Sequence, residues 1–95
     1  MDIIITPAVL QKLRTKHNVK KEEVKECFYN REFNFLEDTR EKNKTNPPTQ
    51  WFIAETDLGR KLKVCFMVIE GRIVLKSAFQ ANDQNAIDIY YRKAK

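Results

Sequence analysis

The chain contains only two glycines, Gly59 and Gly71, and each lies between runs rich in β-branched and aromatic residues. These runs cover residues 51–56, 61–69 and 72–79, and each has the length and composition of a strand. Glycine takes a positive φ without strain, so both positions suit tight reversals of the chain. The spacing therefore predicts a three-stranded antiparallel meander within residues 49–79, against which the rest of the chain packs.

Alternation along these strands predicts one apolar face and one mixed face. The second strand places Leu62, Val64, Phe66 and Val68 on one face, and Lys61, Lys63, Cys65 and Met67 on the other. The third strand alternates Ile73, Leu75, Ser77 and Phe79 with Arg72, Val74, Lys76 and Ala78. The mixed face carries Lys61, Lys63, Arg72 and Lys76, which makes it a candidate platform for an anion such as RNA. The alternative is an ordinary solvated face with solubilising lysines.

The remaining sequence supplies helices at both ends of the chain. Residues 2–5 form a short β-like run, residues 7–17 and 20–29 have helical periodicity, and residues 84–93 predict a last helix. Residues 31–37 are a candidate strand with Phe33 and Phe35 on one face. The pattern predicts a single α+β domain over residues 1–95, in which N-terminal helices and a C-terminal helix pack on a small antiparallel sheet.

Residues 38–50 are almost entirely polar and contain two consecutive prolines, Pro47 and Pro48, near their end. This loop carries Arg40, Lys42 and Lys44. One hypothesis makes it a basic flap over a site, with Lys42 and Lys44 as auxiliary RNA-binding cations, and the other makes it a mobile connection.

The formal net charge of +5 permits nucleic acid or an acidic protein as a partner. The sequence shows no secretory leader and no apolar run of membrane-spanning length, so we expect a cytoplasmic protein with no membrane contact. Cys27 and Cys65 have no second Cys or His at metal-ligand spacing, and we expect both in the core. We therefore expect no metal and no cofactor.

Glycine-rich phosphate loops, nucleophile elbows and HExxH motifs are absent, which leaves Lys, Arg, one His and scattered Glu, Ser and Tyr. This inventory suits RNA cleavage by attack of the 2′-hydroxyl, which needs a base, a cation and a proton donor. Arg60, directly after a turn, is the candidate phosphate clamp. His17 or Glu55 would be the general base. His17 could instead be a packed residue bonded to backbone.

Three aromatic side chains, Trp51, Phe79 and Tyr91, could stack an unpaired base. The alternative is that they belong to the core, as large aromatic residues often do. Tyr91 could also donate a proton. We therefore include Tyr91 among the candidate catalytic residues.

The order of short motifs resembles that of BrnT-like toxins of the RelE/ParE superfamily. Their opening is matched by Lys16-His17-Asn18-Val19, Glu22-Glu23-Val24 and Phe28, their GR-x-L-x-V hairpin by residues 56–64, and their closing segment by Ser77-Ala78, Ala81 and Tyr90-Tyr91. The resemblance implies a RelE-like fold and a ribonuclease that arrests translation and growth. It also implies neutralisation by a cognate antitoxin or immunity protein, and it carries over His17, Arg60 and Ser77 as site residues.

A non-catalytic binding module for a protein or nucleic acid is the alternative function. Two features favour it. Phe79 stands where the resembled family has Arg, and no obvious acid–base pair is present.

Overall fold

A five-stranded sheet flanked by helices makes up the computed structural model, which describes residues 2–40 and 44–95. The strands are β1 (Ile3–Ile4), β2 (Leu36–Glu37), β3 (Gln50–Glu55), β4 (Lys61–Ile69) and β5 (Arg72–Gln80). The helices are α1 (Pro7–Lys12), which continues as a π-helical segment (Leu13–His17), α2 (Lys21–Asn30) and α3 (Gln84–Lys93). The predicted α+β class, the meander and the helices are confirmed.

The strand order is β1-β5-β4-β3-β2, and β4 lies at the centre. Strands β2 to β5 pair antiparallel, whereas β1 pairs parallel to β5 with Ile3 opposite Ile73. The sheet is therefore mixed, and the prediction of a wholly antiparallel sheet was wrong at this edge. A parallel neighbour requires a long crossover, which here includes α1 and α2.

The two glycine turns have the predicted geometry. Gly59 has φ 86°, and the two-residue turn between β4 and β5 places Glu70 at φ 52° and Gly71 at φ 78°. Positive φ at both central residues is the arrangement whose twist matches that of an antiparallel hairpin.

A β-bulge at Lys76 interrupts the alternation of β5. Cys65 lies opposite Ser77 but Phe66 lies opposite Leu75, so Lys76 is the extra residue. Beyond it, Ala78 joins Leu75 in the core, and Ser77 and Phe79 turn to the other side. The prediction that Ser77 and Phe79 lie on the core face was therefore wrong, because a simple alternation of faces does not account for an inserted residue.

Helices cover the sheet from both sides. On the α2 face, the Phe28 ring lies 4.7 Å from the Phe52 ring and 5.3 Å from the Phe66 ring, between centroids. On the opposite α3 face, Tyr90 lies 5.5 Å from Trp51. The α2 face holds most of the buried core, which includes Leu13, Val24, Cys27, Leu62, Val64, Leu75 and Ala78.

Residues 31–35 do not form the predicted strand; only Leu36 and Glu37 do. The Asn34 backbone is bonded to α3 instead, since its N–H donates to the Ala94 carbonyl at 2.9 Å and its carbonyl accepts from the Tyr90 hydroxyl at 3.0 Å. Phe33 packs on Tyr91, whereas Phe35 packs on Phe66. The prediction that the two phenylalanines share a face was wrong, because this segment crosses the sheet edge and links both layers.

Cys27 is fully buried, and its thiol lies 3.5 Å from the Ala54 carbonyl. Burial raises its pKa to about 12. The thiol ionises earlier in the unfolded chain, so stability should fall as the pH rises above about 9. We expect wild type to lose about 1 kcal/mol more than Cys27→Ala between about pH 8 and pH 10, measured by urea unfolding. Equal losses in the two proteins would contradict this account.

Candidate functional site

Side chains on the α3 face lie in rows, because residues opposite each other in the register point the same way. From the start of β4 towards the β4–β5 turn, the rows are Glu55 with Lys61, Ile53 with Lys63 and Phe79, Trp51 with Cys65 and Ser77, Met67 with Val74 and Ile4, and Ile69 with Arg72. Neighbouring rows are about 7 Å apart along the strands. Polar and aromatic side chains therefore occupy the first three rows.

An aromatic–cation line crosses this face and consists of His17, Phe79, Lys63 and Trp51. The ring centroids of His17 and Phe79 are 5.6 Å apart. The Lys63 ammonium lies 6.0 Å from the Phe79 centroid and 4.5 Å from the Trp51 centroid. An ammonium this close to an aromatic ring is attracted by the ring quadrupole. The line thus holds one cation between two aromatic rings, with an imidazole at its end.

One cavity beside this line, of about 380 Å³, is lined by His17, Arg60 and Phe79, with Lys16, Gln80 and Asn82. Lys63 lines two others. The larger, of about 550 Å³, lies between the sheet, α3 and the segment that follows β2. The smaller, of about 360 Å³, lies beside Phe79 and the residues that lead into α3. Lys63 is therefore accessible to a ligand from either side.

One wall of the larger cavity is a fixed ion pair. Arg40 donates two hydrogen bonds to the Asp38 carboxylate, with Nε 3.1 Å from Oδ1 and an Nη nitrogen 2.9 Å from Oδ2, and both residues line this cavity. This hydrogen bonding lowers the pKa of Asp38 and raises that of Arg40. The sequence analysis did not identify Asp38 as a site residue. The signal that could have identified it is an acidic residue two positions before a basic one in a loop, a spacing that allows the two to form an ion pair.

Arg60, the predicted phosphate clamp, is bonded within the protein. Its guanidinium donates to the Asn18 carbonyl at 2.7 Å and the His17 carbonyl at 3.2 Å, and it pairs with the Glu23 carboxylate at 3.2 Å. Asn18 ends the π-helical segment in the left-handed region, at φ 52°. These contacts tie the backbone of His17 to the β3–β4 turn and to the start of α2.

Glu55, Lys61 and Tyr91 lie together in the first row, next to the aromatic–cation line. Glu55 faces Lys61 across the strands, and the Lys61 ammonium lies 5.4 Å from the Tyr91 ring centroid. The Tyr91 ring also contacts Phe33 at 5.5 Å. The cation and the carboxylate therefore sit about one row away from Lys63.

Ser77 lies opposite Cys65 in the third row. Burial raises the pKa of the Cys65 thiol, and a hydrogen bond from Ser77 and the charge of Lys63 offset part of that rise. Cys65 is partly buried on the α3 face and lies outside the hydrophobic core cluster, so the prediction that it belongs to the core was wrong. The bulge at Lys76 is what brings Ser77 to this face.

The other predicted RNA-binding cations lie apart from Lys63. Arg72 is in the last row, about 20 Å along the strands from Lys63. Lys76 occupies the bulge and lies 3.4 Å from the Thr49 hydroxyl. Lys44 is exposed before β3, and Lys42 lies outside the described residues.

Within residues 2–40 and 44–95, no cluster of His, Cys, Asp and Glu has the arrangement of a metal site. In the same part of the chain, no helix has both the length and the apolar character needed to cross a bilayer.

Comparisons with protein-family models, with curated proteins and with solved structures found no match to this chain.

Replacing Arg60 should destabilise the fold, because two backbone carbonyls and the Glu23 carboxylate would lose their donor. We expect Arg60→Ala to lower the free energy of unfolding by about 1–3 kcal/mol in urea titrations. Arg60→Lys should recover only part of this loss, since an ammonium lacks the planar fork. The control is Arg14→Ala, an exposed position where we expect a change within about 0.5 kcal/mol. Equal stability of the two alanine variants would contradict a structural role for Arg60.

Proposed function

We propose that this chain binds single-stranded RNA along the aromatic–cation line and cleaves it by a metal-independent reaction. The observation that carries the proposal is the position of the Lys63 ammonium, 4.5 Å from Trp51 and 6.0 Å from Phe79, beside two cavities. A phosphate at this ammonium would leave neighbouring bases within reach of the two rings.

Unpaired bases suit this surface better than a duplex does. Aromatic side chains recognise bases that are unstacked, because every base offers a π-face. The net charge of +5 favours association with the phosphate backbone through release of counterions. Both terms are independent of sequence, so the proposal concerns RNA as a chemical class.

Cleavage would start from the 2′-hydroxyl next to the bound phosphate. His17 would accept the hydroxyl proton, and the 2′ oxygen would attack phosphorus. Lys63 would stabilise the additional negative charge of the phosphorane. The bond to the 5′ oxygen then breaks, that oxygen takes a proton from water or from Tyr91, and the products are a 2′,3′-cyclic phosphate and a 5′-hydroxyl.

In this scheme Arg60 positions His17 through its hydrogen bonds to the backbone, and Lys63 binds the phosphate. The guanidinium of Arg60 already has carbonyl and carboxylate acceptors within the protein. Lys63, in contrast, faces open space between aromatic rings. Glu55 is the other candidate base, and it would act one row away, with Lys61 as its cation.

The cellular role we propose is that of a toxin whose ribonuclease activity arrests translation and growth, and which a cognate antitoxin or immunity protein neutralises. Its support is the resemblance of the short motifs that include His17, Arg60 and Ser77 to those of BrnT-like toxins. Growth arrest on expression of the wild-type chain, relieved by His17→Gln, would test this role.

Lys63→Ala should weaken RNA binding by about tenfold or more, because it removes the cation held between the rings. The measurement is fluorescence anisotropy with a labelled, unstructured oligoribonucleotide over a range of salt concentrations. The magnitude of the slope of log K against log salt should fall by about 0.7. Lys25→Ala is the matched control, since Lys25 is an exposed lysine of α2, on the other side of the sheet. If the two variants bind RNA equally, Lys63 does not contact the phosphate.

His17→Gln should reduce cleavage of total RNA in EDTA by about a hundredfold or more while leaving RNA affinity within about twofold of wild type. The variant keeps a polar side chain of similar length but removes the proton acceptor. Cleavage products should carry cyclic phosphate ends. Wild-type cleavage that persists unchanged in His17→Gln would move the general base to Glu55.

A second candidate is a binding module that holds RNA without cutting it. The observation that favours it is that the Arg60 guanidinium, although it lies beside His17, is already bonded to the His17 and Asn18 carbonyls and to the Glu23 carboxylate. Binding of the oligoribonucleotide by wild type, without cleavage of total RNA, would select this function.

A further inference from the structure

An apolar strip lies on the α3 face beyond the aromatic–cation line. It consists of Ile4, Val74 and Met67 in one row and Ile69 in the next. Ile4 is 38% exposed and Ile69 is 40% exposed. None of the four packs against the hydrophobic core, which lies on the α2 face and under α3. Met67 and Val74, which adjoin them, are partly buried. Apolar side chains that adjoin across three strands and keep part of their surface exposed form a candidate contact surface.

The dimensions of the strip fit one helix. Three adjacent strands span about 10 Å between the outer two, and a helix with its side chains is about 10–12 Å across. On the same face, α3 covers Trp51 through Tyr90, whereas Ile4 and Ile69 remain exposed. A helix laid on the strip would extend the layer that α3 begins.

Cations border the strip. Arg72 shares the last row with Ile69, and Lys76 occupies the bulge two residues after Val74, with its ammonium 3.4 Å from the Thr49 hydroxyl. Within the described chain, neither of these two cations forms an ion pair with a carboxylate. The strip therefore combines an apolar centre with a positive border, which complements an apolar helix face flanked by acidic residues.

We propose that the apolar strip is the docking surface for an amphipathic helix with acidic flanks, supplied by a partner protein. A second copy of this chain fits less well, because a two-fold interface would bring the same cations of both copies together. A flat anionic bilayer also fits less well, because α3 stands on the same face and leaves the strip recessed beside it. The inference depends on the strip alone and holds whether or not RNA binds at Lys63.

The test measures binding of a labelled amphipathic peptide, with Leu on one helical face and Glu on the others, by fluorescence anisotropy. A peptide of the same composition in scrambled order is the peptide control. Ile69→Glu places a carboxylate on the strip, and Val68→Glu is the matched variant. Val68 is the neighbouring residue, is 38% exposed and points to the opposite face.

We expect the amphipathic peptide to bind wild type and Val68→Glu alike, and Ile69→Glu to bind it about tenfold more weakly or worse. Amide shifts of Ile4, Met67 and Val74 should change on peptide addition in NMR spectra. Arg72→Glu, a surface charge reversal that leaves packing intact, should also weaken binding, whereas Arg14→Glu should not. This second pair keeps the test decisive if Ile69→Glu fails to fold.

Three results would overturn the proposal. The first is no peptide binding, or equal binding by Ile69→Glu and Val68→Glu. The second is a wild-type dimer in sedimentation that Ile69→Glu converts to monomer, which would make a second copy the occupant. The third is Ile69-dependent binding to phosphatidylserine vesicles with none to the peptide, which would make a membrane surface the occupant.

Discussion

The pairing of β4 with β5, including the extra residue at Lys76, decides which side chains meet on each side of the sheet. β4 is the central strand, and its Leu62, Val64 and Phe66 are fully buried on the α2 face. The bulge turns Phe79 away from this core and places it opposite Lys63. With uninterrupted alternation, Phe79 would point into the core, and no aromatic ring would stand between Lys63 and His17.

A second constraint joins the N-terminal helices to this sheet. Arg60 follows the β3–β4 turn and reaches two carbonyls at the end of the π-helical segment, together with the Glu23 carboxylate of α2. The Glu23 carboxylate also accepts from the Lys20 N–H at 3.0 Å, which satisfies a free donor at the start of α2. These few groups set the position of His17 relative to Phe79. An arginine that suggested substrate binding is thus part of the framework behind the site.

The α3 face is divided in composition, and we propose that its two halves have different ligands. Its first rows combine cations with aromatic rings next to cavities, which is the chemistry that a single-stranded polyanion requires. Its last rows are apolar with a cationic border, which is the chemistry of a protein–protein contact. Both halves depend on the absence of a helix over the centre of the sheet, since α3 alone lies on this side of the described chain. Under the two proposals, one face of the sheet would bind two kinds of ligand.

Local chemistry in the sequence was sufficient for the three-stranded meander and the helices, but not for residues 31–35, which do not form the predicted strand. Gly59 and Gly71 define the turns because few other residues tolerate positive φ, and alternation and helical periodicity define β4 and the helices. The composition also indicated which residue types could act on RNA. Tertiary structure alone decided the parallel pairing of β1, the crossing of Phe33 and Phe35 between layers, and the bulge at Lys76. It also decided that Arg60 is bonded to carbonyls while Lys63 lies between rings, because these outcomes depend on contacts between residues far apart in the chain, which periodicity does not encode.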